Sequence, residues 1–378
     1  MGAGALAHLA QPSLLLILVA FALLLGPLVM LHELGHYAMG RLFGVKADAF
    51  SIGFGRELIG WTDRRGTRWK VSMLPLGGYV QFAGDANAAS LPTLPPADRA
   101  AAAAAGFFHA KPLWQRALVV LAGPLANLLI AVTIFATFNL VYGRIEALPV
   151  VAGLAPGSAA EVAGLKLDDR IVAIDEAPIT SFEDIRAHVM PYPGAHLRLT
   201  VARGGQQLVL PVTVGTHVET DAYGNEARIG MLGVASGRIS RVAVGPVGAV
   251  GLAFRQCADV MGMMTTGIGQ IIGGQRSVKE LGGPVKIAQY SGQQLAQGWL
   301  NFVDFAALIS INLAFINLLP IPMLDGGHLA FYLAEAVRRR PVDLRMQEWA
   351  YRMGLALVLG LMLFVTLNDL ASLHLFGR

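Results

Sequence analysis

The stretch Leu14-Leu-Leu-Ile-Leu-Val-Ala-Phe-Ala-Leu-Leu-Leu-Gly-Pro-Leu-Val-Met-Leu31 runs without a charge into His32-Glu33-Leu34-Gly35-His36. At a rise of about 1.5 Å per residue it covers about 27 Å, close to the hydrocarbon thickness of a bilayer. A cleaved signal peptide would need a positively charged start, and no Lys or Arg occurs before Arg41. Further uncharged runs predict spans from about Ala117 to Val141, Phe305 to Leu324 and Met353 to Leu367. The expectation is a polytopic α-helical membrane protein with four transmembrane helices. Composition agrees: 54% of the 378 residues are hydrophobic and 14% charged, against about 25% charged in an ordinary soluble domain.

The formal charge of +4 forms no long basic tract, which argues against nucleic acid as a partner. Cys257 is the only cysteine, so neither an intrachain disulfide nor a cysteine-built metal site can form. Positive charge stays on the cytoplasmic side of short connections. Residues 38–115 carry nine Lys or Arg and residues 337–352 carry five, while residues 1–31 carry none. The connection 142–300 has 13 basic and 13 acidic residues and is long enough to be translocated whatever its charge. The expected orientation therefore puts both termini and the large connection outside.

Two histidines four apart on a helix share one face, so both rings can reach one Zn²⁺. Glu33 adjoins the first of them and can take a proton from a water held there. Three ionisable groups beside a transmembrane run are costly unless they pair with something. A catalytic zinc usually takes three protein ligands, and the third span offers one. Asn317-Leu-Leu-Pro320-Ile-Pro322-Met-Leu-Asp325-Gly-Gly327 is an apolar helix interrupted by two prolines and followed by a carboxylate and two glycines. Counted along its span, Asp325 falls at the same membrane depth as His32 and His36. Asn312 and Asn317 are polar groups within that span, able either to bind exposed substrate backbone or to pack between helices.

Residues 148–216 read as a folded module. Ile171–Ile174 is a short apolar strand, Ser181 begins a helix with a capping-box Asp184, and residues 197–201 and 208–214 alternate around Gly204-Gly205 as a hairpin. On the cytoplasmic side Trp69, Val71 and Met73 alternate with Arg68, Lys70 and Ser72, a strand with one apolar face. The alanine-rich stretch 97–106 is expected to form a loop with a short helix. Residues 245–272 are apolar but interrupted by Arg255 and Asp259, which favours an interfacial helix over a fifth span.

Across nearly its whole length the sequence resembles the site-2 protease family of intramembrane zinc metalloproteases, and within it the bacterial regulators of envelope stress and sigma-factor release. The resemblance rests on His-Glu-Leu-Gly-His at 32–36, Phe-Ser-Ile-Gly-Phe-Gly at 50–55, Pro-Leu-Gly-Gly-Tyr at 75–79, Gly123-Pro124 with Asn127, Gly282-Gly-Pro284, and Asn317 to Gly327. It implies His32, His36 and Asp325 as ligands of Zn²⁺, Glu33 as general base, and the strand 68–74 as a membrane-associated edge that holds substrate. The string from Val151 to Ile171 looks like a PDZ domain of the bacterial protease type. Val151, Ala152, Gly153 and Leu154 would then be the loop whose amides receive a peptide carboxylate. Close bacterial relatives often carry two tandem PDZ domains, whereas 142–240 holds one clear copy.

The expected organisation is a first span with the histidine motif (1–44), then a membrane-associated β-hairpin region and loop on the cytoplasmic side (45–115). A second span (116–142), an extracytoplasmic PDZ-like α/β domain (148–216), and a linker with an interfacial helix (217–300) follow. A third span with Leu-Asp-Gly-Gly (301–336) precedes a cytoplasmic loop and the fourth span (337–378). The expected activity is a zinc endopeptidase of the cytoplasmic (inner) membrane, with its active site toward the cytoplasm. It would cut transmembrane segments of single-span proteins already shortened by another protease. A noncatalytic PDZ-bearing scaffold or a metal transporter are the rival classes. The scaffold has no use for Glu33, and the transporter lacks a polar path, since the second and fourth spans offer only Asn127, Thr133, Asn139 and Thr366.

Overall fold

The computed structural model describes residues 12–84, 101–102, 104–220, 226–236, 239–275, 277–278, 282–340 and 342–372. Half of the stretch 97–106 lies outside them. Four helices among the described residues are long and apolar enough to cross a membrane.

The first, α1 (Leu14–Leu42), is capped by the Ser13 side chain and runs unbroken through the histidine motif. Ala20, Leu24, Leu28 and His32 are buried at intervals of four. A four-residue interval advances each side chain by only about 40°, so the apolar stripe that packs against the bundle carries the first histidine inward on the same face. Strands β1 (Ala47–Thr62) and β2 (Arg68–Phe82) follow, and then the second long helix, α2 (Leu113–Tyr142). At its crossing with α1, a Cβ on Gly35 would overlap the carbonyl of Ala122. Only glycine permits that approach.

Each of β1 and β2 bends back so that the pair makes four rows. Val71 is paired with Ile52 and with Ile59, and Trp69 with Phe50 and with Trp61. The rows therefore run 57–62, 68–72, 49–52 and 78–82. This corrects the expectation of an edge strand at 68–74: its first four residues form an interior row with both flanks occupied. The aromatic residues explain the choice. Trp69 stacks on Phe50 at 4.5 Å and on Trp61 at 6.2 Å, and its indole N–H donates to Asp63 Oδ2 at 3.0 Å. Holding Trp69 between those two rings requires a row on either side. Met73, at the end of this row, is exposed.

The second compact unit comprises residues 135–281 together with short terminal segments. It contains β3 (Arg144–Ala147), β4 (Val151–Leu154), α3 (Ala159–Val162), β5 (Arg170–Ile174), β6 (Ala177–Pro178), α4 (Phe182–Val189), β7 (His196–Arg203) and β8 (Gln206–Thr213). Strands β9 (Gly215–Thr220), β10 (Glu226–Met231), β11 (Val234–Ser236) and β12 (Ile239–Val242) lead into helix α5 (Pro246–Ile272). The central sheet has the order β6-β5-β7-β8. Gly204 and Gly205, both at positive φ, close the β7–β8 hairpin, and Ser181 with Asp184 forms the capping box that starts α4. Val151, Ile171, Ile174, Ile185, Leu199, Val201, Val214 and Leu232 make one buried core.

Two expectations change here. The module continues past residue 216, since Leu232 belongs to its core and β11 pairs with β4. The polar strand β9 concealed that continuation in the sequence. The segment Val151–Leu154 is also no open loop. Val151 exchanges hydrogen bonds with Asp168 and Asp169 on one side, at 2.8 Å each, while β11 pairs along the other. The Val151 amide is thus committed within the module, and the side chains of Val151 and Leu154 pack on its core. Helix α5 joins the same unit through Arg255 to Asp184 at 2.9 Å and Gln270 to the Pro191 carbonyl at 2.5 Å. Its outer face exposes Val247, Val250, Phe254 and Ile272.

The chain then forms α6 (Pro284–Gln297), α7 (Trp299–Leu318), α8 (Asp325–Arg338) and α9 (Leu344–Ser372). Helix α6 has no capping side chain of its own. Buried Asp369 of α9 supplies one, accepting from the amides of Gly283 and Lys286 at 3.2 and 3.1 Å. The long apolar helices are α1, α2, α7 and α9. The third expected span ends as a helix at Leu318. Pro320 and Pro322 cannot donate backbone hydrogen bonds, and a new helix begins at Asp325.

Candidate metal centre

The non-helical hexapeptide 319–324 decides where Asp325 lies. Met323 adopts a positive φ of 89°, and the two glycines after Asp325 allow the chain to fold back on itself. A Cβ on Gly326 would overlap the carbonyls of Leu318 and Leu319, and one on Gly327 would overlap the carbonyl of Ile321. Helix α8 is held on two sides. Arg116 of α2 pairs with Glu335 at 3.0 Å, and Tyr351 of α9 lies 3.0 Å from His328 Nδ1.

Asp325 Oδ2 thereby comes to 3.2 Å from His32 Nε2 and 3.6 Å from His36 Nε2, and the two Nε2 atoms are 3.2 Å apart. A tetrahedral zinc with bonds of about 2.0–2.1 Å has ligand atoms about 3.4 Å from one another. The three separations are those of one face of such a tetrahedron. Asp325 Oδ2 is buried without a well-directed hydrogen-bond partner among the described residues, although two ring nitrogens stand close to it. Three donor atoms facing a common point in this way suit a cation better than they suit one another. Gly123 of α2 borders the same space. A Cβ there would overlap His36 Nε2 and come within 2.9 Å of His32 Cε1. Zn²⁺ fits the donor set, which comprises two imidazoles and a carboxylate.

The ring nitrogens that face away from this point are also engaged. His36 Nδ1 donates to the Val119 carbonyl at 2.9 Å, and His32 Nδ1 faces the Asn127 side chain at 3.2 Å. Val119, Gly123 and Asn127 lie at intervals of four along α2. Val119 acts through its main chain, which no side-chain pattern reveals. Asn127 is a wholly buried amide in an apolar helix, and that placement was the one legible signal.

Glu33 lies beside the outer row of the curled sheet. Its Cγ is 3.2 Å from where a Gly78 Cβ would stand, and the Val80 amide faces its carboxylate. Residues n and n+2 of a strand direct their backbone groups to the same side, so Gly78 also turns its amide and carbonyl toward Glu33. Among the described residues no strand pairs with 78–81 on that side. Trp69 and Val71 instead lie within the sheet. Asn312 and Asn317 are half-buried on α7. Five residues apart, they point about 140° away from each other, so they cannot both face the metal centre. Val151–Leu154 belong to the other compact unit.

Residues 20–361 match the model of peptidase family M50. A protein of Agrobacterium fabrum named as a zinc metalloprotease is 43% identical over 366 residues, covering 94% of this chain and 96% of its own. One of Rhizobium meliloti, named likewise, is 42% identical with 93% and 95% coverage. The metalloprotease MmpA of Caulobacter vibrioides is 36% identical over 389 residues, with 96% and 97% coverage. The motif that binds two histidines to a neighbouring glutamate, and the match over almost the full length, lead to one assignment: the chain belongs to peptidase family M50, the site-2 proteases, and is a zinc metalloendopeptidase.

Proposed function

We propose that this enzyme cleaves transmembrane segments of single-span membrane proteins near the cytoplasmic face, within regulated intramembrane proteolysis of an anti-sigma factor or a similar substrate. The observation that carries the reading is the position of Glu33. It stands on a membrane-length helix, next to two of the three clustered donor atoms, and beside a strand edge that no described strand covers.

His32, His36 and Asp325 would hold the zinc, which when bound supplies a Lewis acid that polarises a peptide carbonyl and acidifies water. Glu33 accepts the proton from the attacking water and returns it to the leaving amine. A helical substrate offers no free backbone groups inside a membrane, so it must unwind before cleavage. Gly78 and Val80 turn their main chain toward Glu33, and pairing there would replace the hydrogen bonds that the substrate loses. The absence of a side chain on Gly78 keeps that pairing close to the base. Asn317, nearer the turn than Asn312, could bind the strand on its opposite flank.

The inner membrane and the outward placement of both termini are supported by the Lys and Arg distribution. The 148–236 module, PDZ-like in sequence, would select substrates already shortened by another protease rather than take part in the chemistry.

The test is a cleavage assay on a short single-span substrate with zinc analysis of each variant. Glu33→Gln should retain zinc and slow cleavage by about 10² to 10⁴. His32→Ala, His36→Ala and Asp325→Ala should lose both metal and activity. Full activity in Glu33→Gln would overturn the mechanism, and stoichiometric zinc in Asp325→Ala would remove that residue from the ligand set.

A further inference from the structure

We propose that Asn127 is a positioning residue that sets the tautomer of His32 for zinc, its amide oxygen accepting the proton that His32 must carry on Nδ1. The assignment rests on His32 being a ligand through Nε2.

His32 Nε2 is directed at His36 and Asp325, at 3.2 Å from each, so Nδ1 is the nitrogen turned toward α2. A neutral imidazole that gives its Nε2 lone pair to a cation keeps its proton on Nδ1. Whatever faces Nδ1 must then accept a hydrogen bond. For His36 that condition is met by a group that can only accept, the Val119 carbonyl at 2.9 Å. For His32 the facing group is the Asn127 amide, which can either donate or accept.

With Nδ2 turned to the ring at 3.2 Å, the ring must hold its proton on Nε2, the form that cannot ligate through that atom. In that orientation Oδ1 is also buried without a hydrogen-bond partner among the described residues. A half-turn of the amide exchanges two nearly isosteric groups and presents Oδ1 to Nδ1–H. Asn127 is wholly buried, so water cannot substitute for it. Its own backbone carbonyl accepts from Ser310 Oγ at 2.7 Å, which fixes this turn of α2 against α7.

One helix thus dictates both imidazole orientations by different means. The control of His36 is main-chain and survives any side-chain change at Val119. The control of His32 depends on a side chain that can be replaced.

The experiment measures zinc affinity by chelator competition on the purified full-length protein in detergent, without reference to proteolysis. Asn127→Leu keeps the volume and removes the acceptor, and should weaken zinc binding about 10- to 100-fold. Asn127→Asp removes the donor and keeps an acceptor, and should bind zinc within threefold of wild type or more tightly. Ser310→Ala loosens the packing of the same turn but leaves the ring contact, and should also stay within threefold.

Wild-type affinity in Asn127→Leu overturns the proposal, as does a loss of more than threefold in Asn127→Asp. If Asn127→Leu does not fold, the aspartate variant decides alone. His32→Ala separates this from the ligand assignment. Stoichiometric zinc in His32→Ala overturns the ligand reading itself, whereas metal loss there with wild-type affinity in Asn127→Leu overturns only the role of Asn127.

Discussion

Gly78 lies against Glu33: a Cβ on the glycine would stand 3.2 Å from Glu33 Cγ and 2.7 Å from the carbonyl of Ser51. Glu33 and the outer row of the sheet are therefore in contact only because that position has no side chain. Gly78→Ala should push the row from Glu33 and lower the cleavage rate at least tenfold, since misplacement of about 1 Å can cost 10²-fold. Zinc content should not change. Gly26→Ala on α1, where a Cβ meets nothing within 4 Å, is the control. Equal cleavage by both variants would disconnect this edge from catalysis.

Val71→Pro should act on the sheet as a whole. Val71 is paired with both Ile52 and Ile59, so loss of its amide donor and the fixed φ of proline disrupt an interior row. The expected result is rapid proteolytic nicking of 45–82 together with lost activity. A variant that stays resistant to nicking yet fails to process substrate would instead restore 68–74 as the substrate edge.

Asp169 is buried and receives Arg203 Nε and Nη2 at 2.7 and 2.6 Å. The guanidinium holds its carboxyl below the ordinary range. A carboxyl depressed in the folded state contributes stability that is full above the unfolded pKa of about 3.9 and lost as pH falls through the folded value. Arg203→Leu should destabilise the module at neutral pH by on the order of 1–3 kcal/mol and flatten its acid dependence between pH 4 and the depressed value. Hydrogen exchange in β7 and β8 reports it. An unchanged acid profile would mean that another pair sets it.

Replacing residues 148–236 by a flexible Gly/Ser linker should leave cleavage of a short substrate nearly unchanged and increase cleavage of one that keeps a bulky external domain. Loss of the short substrate, with zinc still bound, would show that the module recruits substrate.

The sequence was most readable where a residue type has one physical use. Uncharged runs could only be spans, His32 and His36 share a face by helix geometry, and the prolines before Asp325 could only end a helix. Ser181 with Asp184 and the paired Gly204-Gly205 were legible for the same reason. What escaped was pairing at a distance. Nothing in Arg68–Leu74 says that a second row of β1 returns to cover it, because Ile59 and Trp61 lie on a stretch that by itself resembles any exposed strand. The strand β4 was misjudged for the same reason, since its partner β11 comes some eighty residues later. The Val119 carbonyl could not be found from side chains at all.

The two histidines stand on α1, while the carboxylate that completes the donor set opens α8, beyond the turn at 319–324. That separation has a consequence for biosynthesis. A chain emerging from the ribosome carries Glu33 and both histidines long before residue 325 is made, and residues 148–236 are made in the interval. The three donor atoms can therefore come together only once the fold-back around Gly326 and Gly327 has formed.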